Sequence, residues 1–141
     1  MGALIRLADP ARHPLVAGVG LAAVTALVLW LLPRTLSVDV AGLLLMVIAG
    51  AYIGTAAAAD DGAGLLVEAL AALAFLVMVL ASRVVGVWLL AAGFVVHAGW
   101  DVLHHGRWSG TARTARWYPP FCIVYDLLVA VAVAWQGGLV G

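Results

Sequence analysis

Four ionisable residues stand inside long apolar stretches of this chain: Glu68, His97, Asp101 and Asp126. His104 and His105 follow Asp101 closely, and Cys122 precedes Asp126 by four positions. On a helix, positions i, i+4 and i+7 or i+8 share one face. The segment His97-x3-Asp101-x2-His104-His105 therefore lays a polar stripe about 10 Å long, at ~1.5 Å of rise per residue. Histidine and carboxylate on one helical face, completed by donors from facing helices, is how helical bundles build metal sites. The expected ligand set is His97, Asp101, His104 and Asp126, with Glu68 and Cys122 as further complements. Nitrogen and oxygen donors in this mix suit a divalent metal such as zinc, manganese or iron. A metal-free alternative makes Glu68 and Asp126 a catalytic general acid and base tuned by burial, which would suit isomerisation or cyclisation of a terpenoid.

Each of these residues also has a plainer role open to it. His97 and Asp101 could be an i, i+4 pair that joins helices. A histidine at a helix C-terminus offsets the helix dipole, so one of His104 and His105 needs no further task. Cys122 could be a small packing residue, and Asp60-Asp61-Gly62 reads as a solvated turn. Gly50-x3-Gly54 reads as a close-packing seam, and Gly93 as a place where a neighbour comes near. Tyr52 is placed higher on its helix, away from these groups, and Trp117 and Tyr118 read as interfacial anchors.

The elements that must position these side chains are membrane spans. Of the 141 residues 66% are hydrophobic and 10% charged, with mean hydropathy +1.15, against about a quarter charged in a soluble domain. About 20 apolar residues cross the hydrocarbon. Spans are expected at 14–32, 38–59, 63–81, 84–104 and 120–139, making a single all-α domain of five transmembrane helices over 1–141. The first run is longer than a secretory h-region of about 7–15 residues and ends at Pro33-Arg34, so it reads as a span. The stretch 63–103 would be about 60 Å long as one helix, twice the hydrocarbon thickness. It is therefore expected to fold back at Ser82-Arg83. Pro120 is a favourable first helical residue for the fifth span. Zero net charge gives no footprint for nucleic acid. All seven cations are arginine, and the absence of lysine excludes Schiff-base chemistry. A single cysteine forms no intrachain disulfide.

The arginines suggest an orientation. Arg6, Arg12, Arg107, Arg113 and Arg116 fall on one side of five spans, and Arg34 and Arg83 on the other. The first side is expected to be cytoplasmic, with the N-terminus inside and the C-terminus outside. In that arrangement Glu68, His97, Asp101, His104 and Asp126 all lie in the cytoplasmic half of the bilayer, and the other half holds no acid or histidine. Intramembrane ionisable groups cost about 2.5–3.5 kcal/mol each on insertion scales and are functional by default. Protons, a metal ion or arginines reaching in from the loop 106–119 would relieve the excess of carboxylates.

The stretches His97-Ala98-Gly99-Trp100-Asp101-Val102-Leu103-His104-His105 and Trp117-Tyr118-Pro119-Pro120-Phe121-Cys122, followed by Tyr125-Asp126, resemble a family of small uncharacterised bacterial integral-membrane proteins. That family carries His-x2-Trp-Asp-x2-His-His and Trp-Tyr-Pro-Pro-Phe-Cys motifs. The resemblance covers the last third of the chain, extends more loosely to 52–61, and implies a bacterial multi-pass membrane protein but no activity. Zinc-dependent membrane hydrolases related to alkaline ceramidase are similar in gathering histidines and an aspartate near one membrane face. They differ in having seven spans and other motif spacings, so no residue is carried over from them.

Three functions remain open at this level. The first is a cell-membrane enzyme acting on a lipid or hydrophobic small molecule in the cytoplasmic leaflet, with the bilayer as its partner and a homo-oligomer possible. The second is a proton or metal-ion transporter, against which stand the apolar far half of every span and the lack of an inverted repeat. The third is a structural subunit in which the polar cluster only fixes helix packing. Haem is a lesser candidate, because no second well-placed histidine stands on another span.

Overall fold

The computed structural model describes residues 10–107 and 111–138. Every regular element among them is an α-helix: α1 (Pro14–Leu31), α2 (Arg34–Ala58), α3 (Gly62–Val85), α4 (Val87–His105) and α5 (Tyr118–Gln136). All five are long and apolar enough to cross a membrane. Arg6, Trp108, Gly110 and the last residue of the expected fifth span lie outside the described residues.

The helix boundaries follow from local chemistry. Pro14 opens α1 in the first turn, where a missing N–H costs nothing. Pro33 precedes α2, which begins at Arg34, four residues earlier than expected at Val38. The Asp60-Asp61 turn is present as expected, and Asp61 also caps α3: its Oδ1 accepts the Gly64 N–H at 2.9 Å. Pro119 and Pro120 both fall in the first turn of α5, which starts at Tyr118.

One turn lies elsewhere than expected. Ser82-Arg83 is helical, and the chain reverses at Gly86, whose φ of 133° is open to glycine but strained for other residues. Ser82 is comfortable inside the helix because its hydroxyl donates to the Val79 carbonyl at 2.7 Å. Arg83 reaches outward to form an ion pair with Asp39. Asp39 thus sits inside α2, so the acids are not confined to one end of the bundle. It is half-exposed and paired, however, as befits a group near an interface. Two further contacts tie the same end together: Ser37 donates to Gln136 at 2.5 Å, and Arg34 to the Gly137 carbonyl at 3.2 Å.

In the bundle, α5 lies between α1 and α4, α3 bridges α2 and α4, and α2 also touches α4 and α5. Leu29, Leu45, Leu90, Phe94 and Val129 form the buried apolar centre. Leucines and valines such as Leu43, Leu66, Val77 and Val131 cover the outside, a surface suited to lipid. Lipid tails are as apolar as leucine, so helix association here rests on close packing and polar contacts. Gly18 supplies one such approach: a Cβ there would stand 2.7 Å from the Phe121 carbonyl oxygen of α5. Gly93 supplies the expected second, with Leu45 Cδ2 at 2.7 Å from a Cβ. Gly50 and Gly54 do not form the expected seam, because a Cβ at either meets nothing within 4 Å.

Candidate functional site

The buried acids and histidines of the spans converge at one end of the bundle but divide into two groups. The first joins His97 and Asp101 of α4 to Asp126 of α5. His97 Nδ1 lies 2.7 Å from Asp126 Oδ2 and 3.4 Å from Asp101 Oδ2. One candidate ligand atom from each residue falls within 4.8 Å of the others. All three side chains are fully buried. The i, i+4 spacing on α4 makes the first two neighbours, and the close α4–α5 packing brings in the third. Tyr52 of α2, itself fully buried, donates its hydroxyl hydrogen bond to Asp101 Oδ1, and the Phe75 ring of α3 closes another side with its centroid 5.0 Å from that of His97.

Three polar atoms in this group have no hydrogen-bond partner: His97 Nε2, Asp101 Oδ2 and Asp126 Oδ1. The 3.4 Å separation between Asp101 Oδ2 and His97 Nδ1 is an electrostatic approach without hydrogen-bond geometry, which reconciles that ion pair with an unpartnered oxygen. Buried polar atoms in native proteins are nearly always satisfied, so these three atoms are the ones with capacity for a further partner between the side chains. The donor set, one imidazole and two carboxylates, fits a divalent cation of the zinc, manganese or iron class.

The second group centres on Glu68 of α3. Its Oε1 accepts the Ala112 backbone N–H at 2.9 Å and meets His104 Nε2 at 2.9 Å, and its Oε2 accepts the Trp100 indole N–H at 3.0 Å. His104 Nδ1 lies 2.9 Å from the Trp100 carbonyl, which can only accept, so Nδ1 carries a proton. A single proton therefore lies between Nε2 and the carboxylate, and the pair is neutral as a unit. This group clasps the segment around Ala112 onto α3 and α4.

The expected sites are thus partly brought together. His97, Asp101 and Asp126 meet. His104 does not join them, because both of its ring nitrogens are engaged with Glu68 and Trp100. Glu68 stands with His104 rather than opposite Asp126, so the two do not form an acid–base pair across one substrate position. Cys122 is buried one turn before Asp126. Arg107, Arg113 and Arg116 are exposed, and no ion pair links them to the buried carboxylates among the described residues. The doublet at the end of α4 divides cleanly: His104 is buried and His105 exposed.

Sequence reasoning placed Tyr52 away from the cluster, whereas the structure makes it the link between the two groups. Its ring stacks on His104 at 3.7 Å between centroids and 21° between planes, while its hydroxyl holds Asp101. Tyr118, expected only as an anchor, sets its ring edge-on to Tyr52 at 5.7 Å. The available signal was the one aromatic residue on α2, in a half of that helix otherwise built of small and aliphatic residues. In α1, Thr25, the polar residue in mid-span, finds a partner in the Tyr125 hydroxyl at 3.2 Å. No family profile, curated protein or solved structure matches the chain.

Proposed function

We propose that this chain is a multi-pass enzyme of the cell membrane that acts on a lipid or other hydrophobic small molecule at a divalent-metal centre formed by His97, Asp101 and Asp126. The observation that carries the reading is the convergence of these three buried donors, each with an unpartnered polar atom, among apolar helices. Three protein ligands leave a coordination position for water or substrate, as catalytic sites require. A metal there would supply Lewis acidity and a water acidic enough to act as a nucleophile near neutral pH. Tyr52 orients Asp101 from behind, and Phe75 excludes water from one side. Glu68 and His104 hold the adjoining loop and do not touch the reacting centre. The arginine distribution supports an N-terminus in the cytoplasm, which puts the centre in the inner leaflet.

Metal analysis of the protein purified in detergent is the direct test. The expected result is about one zinc, manganese or iron per chain, by the donor preferences of the site, lost in His97→Ala and Asp126→Asn. A metal-free wild type that remains folded would overturn the metal centre. Incubation with total membrane lipid should then show a product by mass spectrometry that the Asp126→Asn protein does not form.

One observation favours a second reading, a metal-ion or proton carrier: the three side chains have no exposed surface. Flux of metal or protons through liposomes containing the wild type, absent with Asp126→Asn and without any change in lipid, would favour the carrier over the enzyme.

A further inference from the structure

Beside the Glu68–His104 clasp lies a cavity of about 330 Å³ lined by His104, His105, Arg107, Thr114, Arg116 and Pro119. Its walls come from the end of α4, the following loop and the first turn of α5. No acidic residue lines it, and Arg107 and Arg116 make no ion pair among the described residues. Arg107 and Arg116 therefore line one small space, and among the described residues no acidic side chain shares it. His105 is exposed and can add donors. Pro119 brings the positive end of the α5 dipole to the same space. His104 forms its floor but is neutral together with Glu68, so it does not add net charge.

Arg107 is also held at φ 54°, a left-handed conformation that is uncommon for a residue other than glycine. That conformation does not continue the helix that ends at His105, and Arg107 lines the cavity from there. Arginine presents a planar fork of donors that matches phosphate oxygens two at a time. The volume is at the small end of the ~300–1,000 Å³ usual for ligand sites. It suits a headgroup, with any acyl or prenyl chain left in the surrounding lipid.

We infer that this cavity binds a terminal phosphate group, and that Arg107 and Arg116 are the residues that hold it. The site stands on its own geometry and does not depend on the metal centre. If both exist, His104 connects them physically: it floors the cavity and stacks on Tyr52, whose hydroxyl holds Asp101. A phosphate seated here would be separated from the His97–Asp101–Asp126 group by the His104 and Tyr52 rings.

The test is binding to the full chain in nanodiscs made of phosphatidylcholine, with short-chain phosphatidic acid, short-chain phosphatidylglycerol and inorganic phosphate as probes. Wild type should bind phosphatidic acid saturably and in preference to phosphatidylglycerol. Arg107→Gln and Arg116→Gln should each weaken binding by roughly tenfold or more, the usual loss for a charge-assisted phosphate contact. Arg113→Gln is the control: it lies on the same loop, exposed, but outside the cavity. It should change affinity less than about threefold, as a screened surface charge does. If inorganic phosphate competes with the same arginine dependence and the acyl chains add nothing, the phosphate comes from a soluble compound. If it does not compete, the ligand is the lipid headgroup. Equal losses in all three arginine variants, or no preference for a terminal phosphate, would show only general attraction to anionic surfaces and overturn the site. Unchanged metal content in the Arg116→Gln protein separates failure here from failure of the metal centre.

Discussion

Replacing Tyr52 by phenylalanine removes one oxygen and leaves the ring, so its stacking on His104 and edge contact with Tyr118 persist. What disappears is the donor to Asp101 Oδ1. Asp101 Oδ2 already has no hydrogen-bond partner, so the variant leaves a buried carboxylate with neither oxygen satisfied by protein. A hydrogen bond between membrane helices averages about 0.6 kcal/mol and reaches about 1.7, because the unfolded chain in the membrane also finds partners. A fully buried acceptor whose other oxygen has no hydrogen-bond partner belongs at the upper end, so the expected cost is about 1.5 kcal/mol. At roughly 3–4 °C per kcal/mol for a chain of this size, the midpoint should fall by about 5 °C. Tyr125→Phe is the matched control. Its hydroxyl meets Thr25 at 3.2 Å in a neutral, partly buried contact, and its loss should cost no more than the ~0.6 kcal/mol average. The assay is thermal unfolding followed by circular dichroism in one detergent. The same Tyr52→Phe protein should bind metal about 10- to 100-fold more weakly, since Tyr52 orients a ligand instead of being one. If Tyr52→Phe proves no more costly than Tyr125→Phe and leaves metal affinity unchanged, the hydroxyl is not holding Asp101 and the account of the centre fails.

Other consequences are as direct. Glu68→Gln leaves the buried partners Trp100, His104 and Ala112 with a poorer acceptor, a change that commonly costs about 1–3 kcal/mol; trypsin should then cut the loop at Arg113 faster than in wild type, and an unchanged cutting rate would mean that the clasp does not hold the loop. Gly18→Ala should destabilise more than Gly93→Ala, because its new methyl meets a backbone carbonyl while the other meets the movable end of Leu45; the reverse order of melting points would contradict the packing. Gly50→Ala meets nothing and should stabilise by up to about 1 kcal/mol through helix propensity. In a Cys122→Ala background, a membrane-impermeant thiol reagent added to intact cells should label Thr35→Cys and spare Arg113→Cys; the opposite pattern reverses the proposed orientation.

Much of this architecture was legible because it depends on composition and spacing. Five apolar runs of membrane length needed no tertiary information, and the i, i+4 relation of His97 to Asp101 follows from helix geometry alone. The position of Asp126 beside them also followed, once alternating spans put both at one end of the bundle. What depended on rotation about the helix axes was not legible. The turn at Gly86 was hidden because Ser82-Arg83 looked like a polar break, yet Ser82 bonds back to Val79 within its helix and Arg83 pairs across to Asp39 of α2. His104 was grouped with His97 because they share a face, but a seven-residue rise carries it to the level of Glu68 and Trp100. Tyr52 was overlooked for a related reason: its relevance depends on which way α2 faces, and small residues on all sides of that helix leave its facing undetermined.

The clasp around Glu68 also constrains how the protein is made. All its partners are synthesised later: Trp100, His104 and Ala112 follow by 32, 36 and 44 residues. When α3 leaves the ribosome its carboxyl group has nothing to bind, and the helix must enter the bilayer on its own apolarity. It is equipped for that, with the highest mean hydropathy of the five spans at 2.5. Helix α4, which brings His97 and Asp101, has the lowest at 1.3. Its polar groups find Tyr52 and Glu68 already waiting, but not Asp126. Order of emergence and hydropathy thus match: the span that must insert unaided is the most oily, and the one that arrives to prepared partners is the least.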